Sequence, residues 1–356
     1  MTMEWGRIEI GSMLHWETEF PAPVWSWPEP AAFFSLCRHA LEALCGARRT
    51  RATLWLPSFF CFEVARHCQA VADIREYHDD CRWSEPDWST LRPRPEDLVL
   101  AVNYFGVRSP EPWNRWRQNN SCILVEDHTQ DPFSEWARNS TSNYAVCSIR
   151  KTVPVPDGAI LWSPTGNALP EAPQAIDWNG SSLKAGAMLY KRSYLSETSD
   201  PDLKARYRDL QLRGEEMLSR SACSAISPVA EAIVSFGVPK FWRERRAANT
   251  RLLITLLNDF SDAQPAFRTW PEGHAPFDLP LVFPSAAARD HYQDAMRKEN
   301  IYCPVEWVCD TTDPGAKDLS SRILSISTDH RYSETDMRRI AEVMQRVGCE
   351  SHVEIN

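Results

Sequence analysis

The chain predicts an α/β fold built on a mostly parallel, buried sheet. Three observations carry that expectation. Four short runs, Leu98–Phe105, Cys122–Glu126, Tyr144–Ser148 and Ala159–Trp162, are apolar on both faces, as strands covered on both sides must be. Helical or loop connections separate some of them. At 356 residues, 43% apolar and 24% charged, the chain has ordinary globular composition and room for two domains, or for one large domain plus a small cap.

Taken in order, residues 1–30 are rich in Trp and Pro without a clear period, and read as an irregular arm lying on the body. Residues 31–45 place Phe33, Leu36, Ala40, Leu41 and Leu44 at helical spacing, which predicts an amphipathic helix. Thr53–Leu56 is a short strand closed by Pro57, with Ser58 as N-cap of a helix running to about Gln69. Residues 71–95 read as a strand and loop, and the four apolar runs follow. Residues 182–260 are mainly helical by pattern, with a charged stretch over 199–220 and a long helix over 241–257. The remainder alternates strand (277–283), helix (286–299), strand (322–326) and helix (334–347, capped by Ser333). The boundary is expected near residue 240: a large domain over 1–240 and a smaller α/β domain over 241–356.

Several classes are excluded or disfavoured. No run reaches 18 apolar residues, so no membrane-spanning helix is expected, and the first residues lack the basic-then-apolar pattern of a signal peptide. A net charge of −9 with dispersed basic residues argues against a nucleic-acid or anionic-membrane surface. The 11 cysteines are odd in number and partly buried in apolar runs (Cys37, Cys122, Cys147), which fits free thiols in a reducing cytoplasm. The pairs His67-Cys68 and His78…Cys81 match no zinc spacing, so no metal is expected. The 15 tryptophans suit an interface, a pocket for a flat ligand, or plain core packing.

In a parallel sheet the ligand sits beyond the carboxyl ends of the strands, so the polar residues there matter: Asn103 and Tyr104, Asp127–Gln130, and Ser148–Lys151. An acid at the end of one buried strand and a lysine just past the next suit a pyridoxal phosphate site. Such a site needs a carboxylate for the ring nitrogen, an amine to bind the cofactor, hydroxyl and N–H groups for its phosphate, and a contact to the ring face. Asp127 and Lys151 suit the first two roles. Asp127 reads equally as a helix cap or loop acid, and Lys151 as a solvated turn lysine beside Arg150.

Over most of its length the chain also resembles a known family, the DegT-like (DegT/DnrJ-type) aminotransferases of the fold-type I pyridoxal-phosphate superfamily. Glu126-Asp127-His128-Thr129-Gln130 is similar to the family's E-D-x-x-Q/H, and SIRKTVPVPDGAIL (148–161) to its S-F-x-x-K segment with a Gly-rich turn. NYFG (103–106), LPSFFCFEV (56–64), RERRAANTRLLITLL (243–257), IYCPVEW (301–307) and ILSISTDHRYSETDM (323–337) resemble further family segments in order. The resemblance implies a three-layer fold-type I transferase with a smaller C-terminal α/β domain. It implies that Lys151 binds the cofactor, Asp127 holds the ring nitrogen, Gln130 lies near the phenolic oxygen, and Ser148 helps bind phosphate. Cys37 and Arg38 fall where the family has its Gly-Thr phosphate corner, and Cys61 or Phe59 near the ring-stacking aromatic. The missing Gly-Thr pair, and Pro156-Asp157-Gly158-Ala159 in place of a double glycine, are departures. Arg245, Arg246, Asn249 and His330 read as substrate contacts or as solvated faces.

The expected function is a cytoplasmic, homodimeric aminotransferase using pyridoxal 5'-phosphate. It would take a keto-sugar nucleotide or other small carbonyl substrate in polysaccharide or secondary-metabolite biosynthesis, with glutamate as amino donor. The alternatives are a pyridoxal-phosphate enzyme of another reaction type (elimination, decarboxylation or C–C bond formation) and a non-catalytic homologue.

Overall fold

The apolar runs become neighbours in a single sheet because each can bury both faces only between other strands and covering helices. The computed structural model describes residues 9–197 and 200–353. Two short strands come first, β1 (Ile10–Gly11) and β2 (Val24–Trp25). There follow β3 (Ala31–Phe34), α1 (Cys37–Gly46), β4 (Ala52–Pro57), α2 (Phe62–Cys68), β5 (Ala72–Tyr77), β6 (Leu98–Val102), a 3-10 turn at Tyr104–Gly106 and α3 (Glu111–Arg117). Next are β7 (Ile123–Asp127), α4 (Glu135–Arg138), β8 (Tyr144–Ser148), a 3-10 turn at Ile149–Lys151 and β9 (Ala159–Trp162). The large sheet has seven strands in the order β3-β9-β8-β7-β6-β4-β5. Strands β4 to β8 are mutually parallel; β9 adds antiparallel to β8, and β3 antiparallel to β9, so that β3 runs with the parallel set again. Every residue of β6 is buried, as befits a central strand.

Beyond the sheet, α5 (Trp178–Glu197) and α6 (Pro201–Arg220) pair as a long helical hairpin, followed by α7 (Pro228–Val234), β10 (Val238–Pro239) and α8 (Lys240–Leu256). The last part holds β11 (Gln264–Pro265), β12 (Asp278–Val282), α9 (Ala286–Lys298), β13 (Ile301–Tyr302), α10 (Pro314–Arg322), β14 (Ile323–Ser327) and α11 (Glu334–Val353). Here β11, β12 and β14 form a second, antiparallel sheet. Leu253 of α8, Met296 of α9 and Ile340 and Met344 of α11 pack on its Leu279, Leu281, Leu324 and Ile326 in one apolar core.

Three local expectations are corrected. Residues 31–34 are a strand, with Phe33 opposite Ile160 of β9, and the helix begins only at Cys37; four apolar residues in a row satisfy either period, and the open side of β9 decides. Ser58 caps nothing: it is 3% exposed and its Oγ donates to Asp313 at 2.7 Å, while α2 starts at Phe62 because Phe59 and Phe60 are drawn into the core. The run 98–105 ends as a strand at Val102, since Phe105 (φ 52°) and Gly106 (φ 74°) take left-handed backbone. A Cβ on Gly106 would lie 2.6 Å from the Asp131 Cβ, so only glycine fits there.

The arm is more ordered than its composition suggests, although residues 1–8 lie outside the described residues. Strand β1 pairs with β13 in parallel, and β2 pairs with β10. The Glu9 carboxylate is fully buried, accepts from the Tyr207 hydroxyl at 2.8 and 2.9 Å, and pairs with Lys191 at 3.1 Å and Lys204 at 3.2 Å. Lys191 also donates to the Met13 carbonyl at 2.6 Å, and burial brings its pKa down to about 8.

Candidate active site

The parallel strands end at one edge of the sheet, and their last residues meet there. Asp127 closes β7, Ser148 closes β8, Asn103 follows β6, and the first residues of α1 and the turn before α2 come in from the side. Together they border a cavity of about 310 Å³ with Gln130, Lys151, Trp307 and Phe60.

Asp127 is 6% exposed, and its Oδ1 accepts the Thr129 N–H at 2.8 Å. Burial raises its pKa, the Thr129 hydrogen bond opposing only in part. The Thr129 hydroxyl in turn accepts the Ser148 N–H at 2.9 Å, tying the ends of β7 and β8 together. Gln130 is anchored through its Oε1, which accepts the Phe105 N–H at 2.5 Å, while its buried Nε2 has no partner among the described residues. That orphan amide is costly unless a ligand acceptor meets it.

Lys151 sits in the 3-10 turn after β8, its side chain 40% exposed, with Nζ 3.5 Å from Glu306 Oε1. The Glu306 carboxylate raises its pKa, with burial acting the other way. Arg150, next to it, forms a bidentate pair with Glu215 of α6 (2.6 and 2.7 Å), and Lys184 of α5 shares that carboxylate at 2.9 Å. These two cations hold Glu215 well below the usual carboxylate range. On the far wall Arg38 donates to Glu63 at 2.9 Å. Helix α1 begins at Cys37 with no side-chain cap from Leu36 before it, which leaves its first N–H groups open to a ligand.

The sequence-derived set is therefore largely gathered: Asp127, Gln130, Ser148, Lys151, Cys37, Arg38 and Cys61 all border this cavity. Burial raises the thiol pKa of Cys37 and of Cys61. Phe59 is not among the lining residues; it is fully buried, edge-on to Trp307 and capped by Tyr104, whose hydroxyl donates to the Phe59 carbonyl at 2.8 Å. Tyr104 is thus core. Asn249 donates to the carbonyls of Thr328, Asp329 and Tyr332, Arg245 is exposed, and His330 stacks on Trp242 at 3.9 Å with its pKa lowered by burial to about 3.

A second cavity of about 540 Å³ lies on the other side of Lys151. It shares Arg150, Lys151 and Glu215 with the first, and Glu306, Arg246, Met13 and the α5–α6 hairpin complete it. Sequence reasoning missed Lys184, Glu215 and Glu306, because charged residues in a helix or a loop read as solvated. One signal was available: Gly214 in mid-helix, where a Cβ would come within 2.8 Å of the Lys184 Cγ. Below the cavity floor Asp131 is fully buried and takes Arg243 at 2.7 and 2.8 Å together with the Ala275 N–H at 2.9 Å, fastening α8 to the turn after β7. Asp131→Ala should cost about 3–5 kcal/mol in chemical denaturation, since it strands Arg243 and a buried N–H.

The sheet order, the helices around it and the smaller second sheet make this the fold of the fold-type I pyridoxal-phosphate-dependent transferases. Among solved structures the chain is similar to the aminotransferase TlmJ from Streptoalloteichus hindustanus (16% identity, TM-score 0.62, covering 90% of this chain and 86% of that one). It is similar also to a DegT DnrJ EryC1 StrS aminotransferase from Brucella abortus (14%, TM-score 0.59, 88% and 85%). A third is NtdA from Bacillus subtilis, with bound cofactor PMP (10%, TM-score 0.60, 89% and 73%). At such identities the likeness establishes the fold. No family model matches the chain, and no curated protein matches its sequence.

Proposed function

We propose that this protein is a pyridoxal-phosphate-dependent aminotransferase acting on a small carbonyl compound, a keto-sugar nucleotide being the leading candidate and glutamate the amino donor. The observation that carries the reading is the meeting of Asp127 and Lys151 at one cavity, at the ends of neighbouring parallel strands. The residues present fit the cofactor. Asp127 is a buried carboxylate whose raised pKa marks a site that would welcome a cation, such as a protonated ring nitrogen. The orphan Gln130 Nε2 can donate to a phenolic oxygen. The uncapped start of α1, the Ser148 hydroxyl and Arg38 can hold a phosphate, with Arg38 exchanging Glu63 for it. The aminotransferases of this fold, and the PMP bound in NtdA, support the same reading.

When bound, pyridoxal phosphate supplies an electron sink for charge left by a departing proton. The chain supplies the rest. Lys151 Nζ carries the covalent attachment and afterwards takes and returns the substrate proton. Asp127 holds the proton on the ring nitrogen, and Thr129 holds Asp127 in place. The larger cavity gives the substrate its space, with Glu215 and Arg150 in the shared wall. A homodimer in the cytoplasm is part of the proposal.

The test is a half-reaction. Purified protein loaded with pyridoxal phosphate should show a visible band that glutamate bleaches as the amino form of the cofactor appears. A band that persists with a panel of amino donors points instead to another pyridoxal-phosphate reaction. No band at all, with no borohydride-trapped adduct at Lys151, sinks the enzyme reading.

A further inference from the structure

Glu306 lies between β13 and α10, 155 positions beyond Lys151, yet its Oε1 is 3.5 Å from the lysine Nζ. Its side chain is 9% exposed, and Oε2 is buried without a hydrogen-bond partner among the described residues. A half-satisfied buried carboxylate is costly and persists only where something holds it. Here the holding group is the lysine that borders both cavities.

We propose that Glu306 is the proton partner of Lys151: its carboxylate holds the ammonium between the two cavities and receives the proton when the lysine becomes a nucleophile. The inference rests on the reading of Lys151 as the reactive amine. The step balances by itself. One N–H bond of the ammonium breaks, one O–H bond forms on Glu306, and the amine keeps the lone pair that attacks a carbonyl carbon.

The groups facing Lys151 set the sign of the effect. Glu306 raises its pKa most, Glu215 of α6 and the thiol of Cys61 add to this, and burial and Arg150 oppose it. Lys184 of α5 and Asp127 at the end of β7 also share a field with it. With Glu306 neutralised, burial and the neighbouring cations dominate, so Lys151 should lose its proton at lower pH. Loading and turnover then separate. Glu306→Gln should speed attachment at Lys151 at neutral pH, while turnover suffers because the proton has lost its receiver.

The experiment needs no cofactor. Protein free of pyridoxal phosphate is pulsed with trinitrobenzenesulfonate across a pH series, and labelling of the Lys151 peptide is read by mass spectrometry against the exposed Lys298. Removing an opposite charge at this range should move the Lys151 midpoint down by about one unit or more in Glu306→Gln. Labelling at a fixed pH below both midpoints then rises about tenfold. Glu306→Asp, which keeps the charge, should retain a raised midpoint. An unchanged midpoint in a Glu306→Gln protein that melts normally overturns the proposal. Should that variant not fold, Glu306→Leu makes the same comparison, and an unmoved midpoint there has the same force. Binding of pyridoxal phosphate, read separately from the visible band, can fail while this result stands, and the reverse also holds.

Discussion

Lys151→Ala should abolish the visible band and the borohydride-trapped adduct, and lower aminotransfer by roughly a thousandfold or more, the scale of losing a positioned base together with the attachment point. Stability should fall measurably as well: Lys151 is itself 40% exposed, but its removal leaves the buried Glu306 carboxylate without the ammonium that holds it, at a cost of about 1–3 kcal/mol in chemical denaturation. Pyridoxal phosphate should still bind non-covalently through the start of α1 and Asp127. Lys151→Arg keeps the charge beside Glu306 and should be as inactive as the alanine variant, since a guanidinium has no lone pair to offer at working pH. Retained covalent trapping in either variant would move the attachment to another lysine and remove the basis for the site.

The second large effect is expected from Asp127→Asn. An amide cannot hold a proton on a ring nitrogen as a carboxylate does, so activity should fall about a hundredfold to a thousandfold with the band still present. Stability should respond in the opposite sense. A carboxyl whose folded pKa is raised contributes stability below its unfolded pKa and loses it as pH rises through the folded value. The parent protein free of cofactor should therefore weaken across that rise, whereas Asp127→Asn keeps the Thr129 hydrogen bond, carries no buried charge, and should melt no lower at neutral pH. A variant that is both inactive and strongly destabilised would make Asp127 a structural acid.

Much of this centre was legible from order along the chain. The acid at the end of β7 and the lysine past β8 were visible because central parallel strands are continuous apolar runs, and their polar successors stand out. Asp127 and Lys151 needed nothing more than that rule, whereas Gln130 and Ser148 lay in the marked segments and took their roles from the family resemblance. Cys37, Arg38 and Cys61 were found only through the family resemblance, since nothing local marks the start of α1. Phe59 was misplaced by a single position: Phe60 reaches the cavity and Phe59 the core, a choice made by Trp307 and Tyr104. Glu215, Lys184 and Glu306 could not be read, because their meaning lies in partners 31 to 155 positions away. Charge patterns describe a helix face, and they do not report what a second helix brings to it.

The stitching of the arm has a consequence for how the protein is made. The Gly11 N–H donates to the hydroxyl of Tyr332, 321 positions later, at 2.7 Å, and Glu9 waits for Lys191, Lys204 and Tyr207. During synthesis Ile10 and Gly11 are made long before their partners Ile301, Tyr302 and Tyr332, and Glu9 before Lys191, Lys204 and Tyr207. The seven-stranded sheet can assemble around β4–β8 in the meantime, leaving Ile10, whose core partners lie at 253–347, without cover. Such long loop closures are slow, and uncovered apolar segments are what chaperones bind. The late closure of β1 onto β13 is then expected to limit the rate at which this chain reaches its final fold.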